Sequence, residues 1–586
     1  MEPIVVITGE GILSSIGNGK AEVLRSLVAR KSGIGEVRHL QTAHHELPVG
    51  EVPYSDDEMK HLLGIDTGKA ISRTTLMGMM AVGEALDDAK IEKDRKLPEE
   101  HVLLISGSTV GGMDITEQVF GTLSSSDSYL DHTRTHDCGS NTQMITSHFA
   151  VFDDSTTIST ACSSSANAIM LGARLIKAGL ADLVVAGGCE ALTRFHLNGF
   201  NALMILDTNA CRPFDRDHAG LNLGEGAAYV VLESETHALK RGARIDAYLI
   251  GYGNACDAYH QTATSPNGEG AFRAMSEALE MAHLLPSDID YINAHGTGTV
   301  NNDATESAAI IRTFGTAYPY ISSTKSYTGH TTSASGSIET VICLIAMQNS
   351  FIPANLNWAH PIGECIVPCM GKSDVDLQHV MCNSFGFGGN DTSLILSKEP
   401  TAPSETVKRN PVKTLAEVTI DSMEALEAIK KYISPLEARR MSPIVKSALF
   451  SSLVSLQQAG VEHPDAIISA TTLGCIENSE KLLRQMLSEG EASIKPTWFM
   501  QSTHNTIGSS VAIHTHCHGY NITYTHGAKS LEWALLDARL LIQNGKAKTV
   551  LVGLHEETTE LVASIRERLG LHKHPAIYSK VIVLSC

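Results

Sequence analysis

Two stretches of this chain each occur twice, and this internal repeat constrains the fold more than any other feature. The segment HVLLISGSTVGGMDITEQ is similar to AIISATTLGCIENSEK, with Gly111 aligned to Gly474. The segment LIKAGLADLVVAGGCEA is similar to LIQNGKAKTVLVGLHEE, with Gly179 aligned to Gly545. A repeat of this length exceeds one solenoid unit and indicates that a whole half-domain was duplicated.

Short apolar runs alternate with segments of helical periodicity throughout the chain. PIVVITG, HVLLISGSTVGG and AAYVVLE are typical of strands, whereas the apolar spacing over 75–87, 166–178 and 337–348 predicts helices. Continuous apolar strands separated by helices indicate a sheet that is covered on both faces. The sequence therefore predicts an α/β fold.

Length and composition exclude several classes of protein. A chain of 586 residues is too long for one core and predicts roughly three to four domain-sized units. Its net charge of −20 argues against a nucleic-acid partner. No apolar run is long enough to span a bilayer, and the N-terminus lacks the basic start of a secretory signal. Twelve cysteines without CxxC pairs favour a reducing compartment, and we expect a cytoplasmic protein.

The strongest boundary signal is SKEPTAPSETVKRNP, residues 397–411, which is rich in Pro, Ser, Thr and charge and predicts a linker. The unit after it contains the second copy of the repeat. Extending the repeat without gaps aligns Ala528 of THGAKSL with Cys162 of TACSSSA. The second copy therefore lacks this cysteine.

Cys162 lies between a β-branched run and a predicted helix that starts near Ala166. Unpaired N–H groups at a helix N-terminus lower a thiol pKa, so this position suits a nucleophile. Taken alone, the stretch fits an inert buried cysteine better than a nucleophile.

Two histidines favour the interpretation of Cys162 as a nucleophile. His295 in NAHGTGT and His330 in YTGHTT both lie in glycine-flanked loops next to predicted strands or helices. A thiol that accepts an acyl group and two imidazoles that donate hydrogen bonds to a developing enolate form a coherent set for acyl transfer.

Five motifs occur in a fixed order over residues 1 to about 398: TACSSSANAI, CRPFDRDHAGLNLGEGAAYVVLE, NAHGTGTVNND, STKSYTGHTTSASGSIE and NSFGFGGND. This part resembles an elongating β-ketoacyl-acyl-carrier-protein synthase. The resemblance implies a thiolase-like, layered αβαβα fold with two similar halves. We expect the halves over 1–240 and 241–398, a linker over 399–411, and an additional thiolase-half-like domain over 412–586.

The resemblance also implies the catalytic roles. Cys162 is the expected nucleophile, which takes the acyl chain from acyl carrier protein. His295 and His330 are expected to stabilise the enolate that forms when malonyl-carrier protein loses carbon dioxide. Lys325 and Glu339 match the family's buried polar support around the second histidine, although a purely structural ion pair is an equal alternative.

Further residues match the family's substrate-binding positions. The backbone amides of Cys162 and Phe387 match its oxyanion hole, and the Phe387 side chain matches its gating phenylalanine. Thr297 and Thr299 match the threonines that hydrogen-bond the phosphopantetheine arm. No metal and no other cofactor is expected, since the substrates are carried on phosphopantetheine.

The gating loop departs from the common pattern. Many members read GFGGTN, whereas this chain reads GFGGND, with Asn390 and Asp391. The departure leaves the loop's hydrogen bonding and substrate preference open.

Residues 412–586 resemble one inactive N-terminal half of the same fold, similar to the degenerate ketosynthase-like partners that include chain-length factors. We expect this half to cover a sheet edge or to alter the pocket or carrier docking of the active domain. Its HTHCHGYNITYTH run could place His514 and His518 on one helix face, a spacing that can bind zinc, but packing or loop positions explain these histidines better.

The predicted activity is decarboxylative condensation in fatty acid or polyketide biosynthesis, with an aryl-polyene or flexirubin-like pathway favoured. The expected partners are acyl carrier protein and, in a homodimer or heterodimer, a second ketosynthase-like subunit. Two alternatives remain: a noncatalytic chain-length-factor-type subunit, which should have lost Cys162, and a coenzyme A-dependent thiolase. A thiolase needs a second cysteine, and Cys382 stands next to the wrong motif.

Overall fold

The computed structural model describes residues 2–401 and 409–586. Its main strands form three sets of five. The first set is β1 (Val5–Ser14), β2 (Val102–Gly107), β3 (Asp154–Ile158), β4 (Leu183–Glu190) and β5 (Gly226–Ser234). The second set is β6 (Ala247–Cys256), β7 (Tyr291–Asn293), β8 (Tyr320–Ser322), β9 (His379–Gly386) and β10 (Asn390–Ser397). The third set is β11 (Lys413–Ile420), β12 (Ala466–Ala470), β13 (Tyr520–Tyr524), β14 (Thr549–Glu557) and β15 (Ile577–Ser585).

All three sets have the same strand order, in which the third strand is followed by the second, fourth, fifth and first. We call them the first, second and third units. The first and second units join where β1 pairs antiparallel with β6, with Ile7 opposite Ala247. The third unit joins the first where β13 pairs antiparallel with β3, with Tyr524 opposite Ile158. The strands consequently follow one continuous path with the third unit at one end.

Helices connect the strands and cover the sheet. Those of the first unit are α1 (Lys20–Val28), α2 (Asp56–Leu62), α3 (Arg73–Asp88), α4 (Met113–Val119), α5 (Cys138–His148), α6 (Ser164–Lys177), α7 (Arg194–Ala202) and α8 (Glu235–Lys240). Those of the second are α9 (Glu269–Ala282), α10 (Val300–Phe314), α11 (Lys325–Thr328) and α12 (Ser335–Gln348). Those of the third are α13 (Pro435–Ala438), α14 (Pro443–Ala459), α15 (Ile476–Glu489), α16 (Pro496–Met500), α17 (Thr506–Thr515), α18 (Ser530–Gln543) and α19 (Glu560–Arg568).

The central layer of helices contains α6 and α12, which pack against each other and against strands of the first two units. Both helices are buried almost along their whole length. Small residues permit this close packing, since a Cβ added at Gly172 of α6 would lie 2.9 Å from the Leu232 side chain. Helices α3 and α5 cover the other face of the first unit, and α9 and α10 cover that of the second.

The layered α/β, thiolase-like fold predicted from the sequence is confirmed, including the additional C-terminal half-domain. Most of the predicted linker, residues 402–408, lies outside the described residues. Among the helices that the structure does describe, none combines the length and the apolar character needed to cross a membrane.

Candidate active site

Cys162 lies in a single 3₁₀ turn, Ala161–Ser163, between β3 and α6. Ala161 has a φ of 53°, a left-handed conformation that a residue with a Cβ rarely adopts. The Ser164 hydroxyl stabilises the turn, because it donates to the Ala161 carbonyl at 2.7 Å and accepts from the Thr160 amide at 2.9 Å. Such strained turns between a strand and a helix are typical of positions that present a nucleophile.

The third unit repeats this turn without the sulfur. Its 3₁₀ turn is Gly527–Lys529, with Ala528 in the middle position that Cys162 occupies in the first unit. Ser530 makes the corresponding bonds to the Gly527 carbonyl and the His526 amide, at 2.9 and 2.7 Å. Gly527 has a φ of 56°. Because glycine adopts this conformation without strain, the second copy keeps the turn and loses both the strain and the thiol.

Two histidines from the second unit meet Cys162 at the inner end of a cavity. His330 Nε2 lies 3.1 Å from Cys162 Sγ. The His295 ring lies edge-on to the His330 ring, with centroids 5.3 Å apart. All three side chains are buried, so the thiol and both imidazoles share one dehydrated site.

A buried ion pair supports the first histidine rather than the second. Lys325 Nζ donates to Glu339 Oε1 at 2.5 Å and to His295 Nδ1 at 3.3 Å. This corrects the expectation that the pair surrounds His330. Because an ammonium group can only donate hydrogen bonds, His295 Nδ1 must accept the hydrogen bond from Lys325, and the imidazole proton lies on Nε2. Lys325 thereby makes His295 Nε2 a hydrogen-bond donor.

Burial dominates the protonation of the site. It raises the pKa of Cys162 to about 12, against the lowering effects of the Lys325 cation and the Phe387 N–H. The shift is therefore opposite in direction to the lowering expected from the helix N-terminus. Burial, together with the Lys325 cation, also holds the pKa of both His295 and His330 well below the usual histidine value. The resting site consequently holds a thiol and two neutral imidazoles.

This protonation predicts how alkylation of Cys162 depends on pH. A thiol whose pKa is about 12 should react with iodoacetamide about tenfold faster for each pH unit between 7 and 9.5, because only the thiolate reacts. An ordinary cysteine, with a pKa of about 8.5, would level off above pH 9. Peptide mass spectrometry after timed quenching measures the rate at Cys162. A rate that levels off anywhere up to pH 9.5 would contradict the burial of the thiol.

The Phe387 backbone also contacts the sulfur, where its N–H donates a hydrogen bond that lowers the pKa of the Cys162 thiol. Phe387 lies in the turn between β9 and β10, followed by Gly388 and Gly389, whose φ values are 84° and 75°. Only glycine adopts two such conformations in succession without strain. The turn therefore directs a backbone amide at the atom that would react.

A cavity of about 370 Å³ connects this site to the surface. Thr297 and Thr299 line it beside both histidines, and their hydroxyl oxygens are 2.9 Å apart. Thr299 also caps α10, where it accepts from the Asn302 amide. Phe387 and Phe200 form part of the wall nearest Cys162.

The structure adds supporting residues that sequence reasoning missed. Glu306 of α10 accepts from the backbone amides of His295 and Gly296, at 2.8 and 2.7 Å, and thus fixes the first histidine loop. Ser335 lies 3.1 Å from Nδ1 of His330. Glu306 follows the His295 loop in the sequence at helical spacing, which could have suggested its contact with that loop. The sequence around Ser335 contains no comparable indication of its contact with His330.

The three ligand-type atoms of Cys162, His295 and His330 all lie within 4.8 Å of one another, which is close enough to hold a metal ion. The expectation of a metal-free site stays a prediction. The histidine run of the third unit is dispersed instead: α17 ends at Thr515, His514 contacts Glu437, and His518 contacts the Cys256 carbonyl. The described residues bring together no metal-type cluster from this run.

Comparison with known proteins places this geometry in a family. Residues 2–238 match the family of the β-ketoacyl synthase N-terminal domain, and residues 247–359 match that of the β-ketoacyl synthase C-terminal domain. Residues 416–574 match a second family that is also described as a β-ketoacyl synthase N-terminal domain.

Individual relatives agree with these matches. The chain is 34% identical to 3-oxoacyl-[acyl-carrier-protein] synthase 2 of Vibrio cholerae over 416 residues, which cover 67% of this chain and 99% of the relative. A solved structure of the ishigamide ketosynthase/chain length factor is 32% identical, with a TM-score of 0.63, and covers 68% of this chain and 100% of its own. The PfaC keto synthase–chain length factor structure is similar in fold over 100% of this chain and 78% of its own, with a TM-score of 0.80 at 17% identity. The chain therefore belongs to the β-ketoacyl synthase family of acyl-transferring enzymes, and it carries a further ketosynthase-like domain at its C-terminal end.

Proposed function

We propose that this chain is an elongating β-ketoacyl-acyl-carrier-protein synthase of the Cys-His-His type, with Cys162, His295 and His330 as its catalytic residues. The observation that carries the proposal is the 3.1 Å contact between Cys162 Sγ and His330 Nε2, with His295 lining the same cavity. A thiol beside two neutral imidazoles combines a nucleophile with two hydrogen-bond donors for a developing negative charge.

The first half-reaction transfers the acyl group. Cys162 sulfur attacks the thioester carbonyl of the acyl-carrier protein, and the carrier's thiol leaves with the proton. In the tetrahedral intermediate, the oxygen bears negative charge and accepts hydrogen bonds from the amides of Cys162 and Phe387. His330 Nε2 lies 3.1 Å from Cys162 Sγ, where its N–H stabilises negative charge that develops on the sulfur.

The second half-reaction forms the carbon–carbon bond. Thr297 and Thr299 hold the phosphopantetheine arm of malonyl-carrier protein, whose thioester oxygen lies between His295 and His330. Carbon dioxide leaves, and the two imidazoles donate to the resulting enolate oxygen. The enolate carbon then attacks the Cys162 thioester, and the cysteine sulfur departs as a thiolate, which takes up a proton from solvent to restore the thiol. The product is a β-ketoacyl-carrier protein two carbons longer, and no other cofactor is needed.

Replacement of His295 by alanine tests the second half-reaction. We expect decarboxylation of malonyl-carrier protein to fall by about 10²–10³-fold, the usual cost of losing one oxyanion donor. Carbon dioxide release, measured without an acyl donor, reports this step directly. His360→Ala, which changes a half-exposed histidine of the same unit, is the control and should stay within about twofold of the unaltered protein. An unchanged rate in His295→Ala would remove His295 from the mechanism.

We further propose that the third unit is the ketosynthase-like partner of the active domain, carried in the same chain, in place of the second subunit expected from the sequence. The pairing of β13 with β3 and the likeness of the whole fold to a keto synthase–chain length factor structure support this proposal. The fused inactive half also favours a secondary pathway of the aryl-polyene or flexirubin-like kind. Mass analysis of products made from acylated and malonylated carrier proteins tests the chain length and thereby the pathway.

Neither alternative function has similar support. A thiolase needs a second reactive cysteine, yet Cys382 contacts Thr340 on α12 and is not among the described residues that line the cavity. A noncatalytic subunit has no use for the strained turn that presents Cys162.

A further inference from the structure

The third unit contacts the catalytic loop directly. Asn505 lies immediately before α17 and is buried. Its Nδ2 donates to the backbone carbonyl of Phe387 at 2.7 Å and to Oδ1 of Asn390 at 2.7 Å. One side chain of the inactive half thus holds both ends of the turn that directs the Phe387 amide at Cys162.

The orientation of this amide follows from its neighbours. Asn390 Nδ2 donates to the backbone carbonyl of Asn521 at 2.9 Å, so Oδ1 of Asn390 must face Asn505. The Phe387 carbonyl oxygen and the Asn390 carboxamide oxygen can only accept hydrogen bonds. The Asn505 atom that faces them must therefore be Nδ2, the only donor of its side chain. The Asn521 carbonyl can only accept, so it fixes the orientation of the Asn390 carboxamide, which in turn fixes that of Asn505. Neither amide orientation is an arbitrary choice.

Asn390 is the first of the two residues at which the loop departs from the pattern GFGGTN. Its carboxamide presents an acceptor to Asn505 and a donor to Asn521 on separate atoms. Both partners belong to the third unit. The departure noted in the sequence thus coincides with the position where the catalytic loop is bonded to the inactive half.

Other bonds of the turn come from the catalytic domain. The Gly388 amide donates to the Gln261 carbonyl at 2.8 Å, and the Gly389 carbonyl accepts from the Asp257 amide at 2.8 Å. Between these anchors, the Phe387 carbonyl is bonded to Asn505. The fit is close, since a Cβ on Gly388 would lie 2.3 Å from the Ser509 hydroxyl of α17.

A second contact reaches the same phenylalanine through aromatic rings. Phe499 of α16 fills the space beside Gly199, where a Cβ would approach the ring to 2.1 Å. Its centroid is 5.2 Å from that of Phe200, and the Phe200 ring stacks on Phe387 at 5.8 Å. The third unit therefore supports both the backbone and the side chain of Phe387.

We propose that Asn505 is a positioning residue for the active site: it holds the Phe387 amide on the reacting atom, so that the inactive half maintains the oxyanion hole of the active half. This inference rests on the proposed function for its catalytic consequence. The inference specifies that acyl transfer to Cys162, rather than decarboxylation, depends on the third unit. Acyl transfer to Cys162 uses the Phe387 amide, whereas decarboxylation uses the two histidines.

Two variants of Asn505 test the proposal. Asn505→Ala removes the Nδ2 donor. Asn505→Asp keeps the side-chain volume but places a carboxylate, which cannot donate, against two oxygen acceptors. We expect acyl transfer to Cys162 to fall by about tenfold or more in both, while malonyl decarboxylation stays within about twofold. Intact-mass analysis follows the acyl-enzyme, and carbon dioxide release follows decarboxylation. Should Asn505→Ala fail to fold, Asn505→Asp decides the question alone.

Lys529→Ala is the matched control. Lys529 also bonds across the contact between the first and third units, to Asp154 at 2.7 Å, but through a half-exposed pair that makes no contact with the loop. It should leave both half-reactions unchanged. An equal fall of both half-reactions in the Asn505 variants, or the same change in Lys529→Ala, would overturn the positioning role.

Hydrogen–deuterium exchange separates this inference from the proposed function. Peptides covering residues 386–391 should exchange faster in both Asn505 variants than in the unaltered protein, with α6 and α12 unchanged. If the unaltered protein transferred no acyl group, the proposed function would fail while this measurement still reported on the loop. Unchanged exchange in both variants would overturn the inference itself.

Discussion

Replacement of Cys162 by alanine is expected to abolish acyl transfer and condensation, with a loss above about 10³-fold, while malonyl-carrier protein continues to be decarboxylated. The sulfur is the only protein group in the proposed mechanism that forms a bond to the acyl chain, so no acyl-enzyme can accumulate without it. His295 and His330 remain in place and still donate to the enolate oxygen. Intact-mass analysis detects the acyl-enzyme, and product mass detects condensation.

Cys382→Ala is the control for this experiment, and it also tests the thiolase alternative. Cys382 is buried on β9, with its sulfur against Thr340. Since it does not line the cavity, we expect acyl transfer to remain within a few fold of the unaltered protein. Condensation by the Cys162 variant would show that the nucleophile has been assigned to the wrong residue. Loss of activity on changing Cys382 would favour a two-cysteine mechanism instead.

Sequence patterns were most informative where the structure is local or repeated. The apolar spacing over 166–178 predicted α6, which runs from Ser164 to Lys177. The repeat predicted that residues 412–586 form a half-domain of the same fold, and the strand order of the third unit agrees with it. The ungapped register aligned Ala528 with Cys162, and the two residues occupy the same position of the same turn. These features depend on neighbours within one unit, which the sequence displays directly.

Contacts between distant parts of the chain were beyond sequence reasoning. The expected lowering of the thiol pKa considered only the helix that follows Cys162, whereas burial by both catalytic units raises the pKa to about 12. Lys325 was assigned to the nearby His330, yet it bonds His295, which is 30 residues away. Asn505 lies 118 residues from Phe387 in a different unit. No periodicity or spacing encodes such pairs, because they arise only when distant parts of the chain fold together.

The position of the third unit explains why an inactive half can be retained. It pairs with β3, the strand that leads into the Cys162 turn, and Ser159 of that connection donates to the Thr523 carbonyl at 2.9 Å. The other side of the active site, the Phe387 loop, is bonded to Asn505. The third unit thus touches the chain on both sides of the nucleophile. The third unit needs no cysteine in place of Ala528 for this role, since every one of these contacts comes from backbone or side-chain amide groups.

Asp537→Asn is expected to destabilise the association of the third unit by about 3–5 kcal/mol, the usual cost of removing one partner from a buried ion pair. Asp537 of α18 accepts from Arg174 of α6 at 2.5 Å, and both side chains are at most 9% exposed. The asparagine keeps the volume but leaves the guanidinium charge of Arg174 buried without a counterion. For a unit of this size, the melting temperature should fall by roughly 10 °C, as measured by calorimetry.

Two comparisons show whether the unpaired charge causes the loss. Lys529→Ala breaks a half-exposed ion pair between the same two units, and it should cost only about 0–1 kcal/mol because water already screens both charges. The double variant Arg174→Met with Asp537→Leu removes both buried charges and replaces them with apolar side chains of similar length. It should recover most of the stability lost in Asp537→Asn, since the penalty belongs to the isolated guanidinium rather than to the missing attraction. A double variant as unstable as the single one would show that the isolated guanidinium charge does not cause the loss.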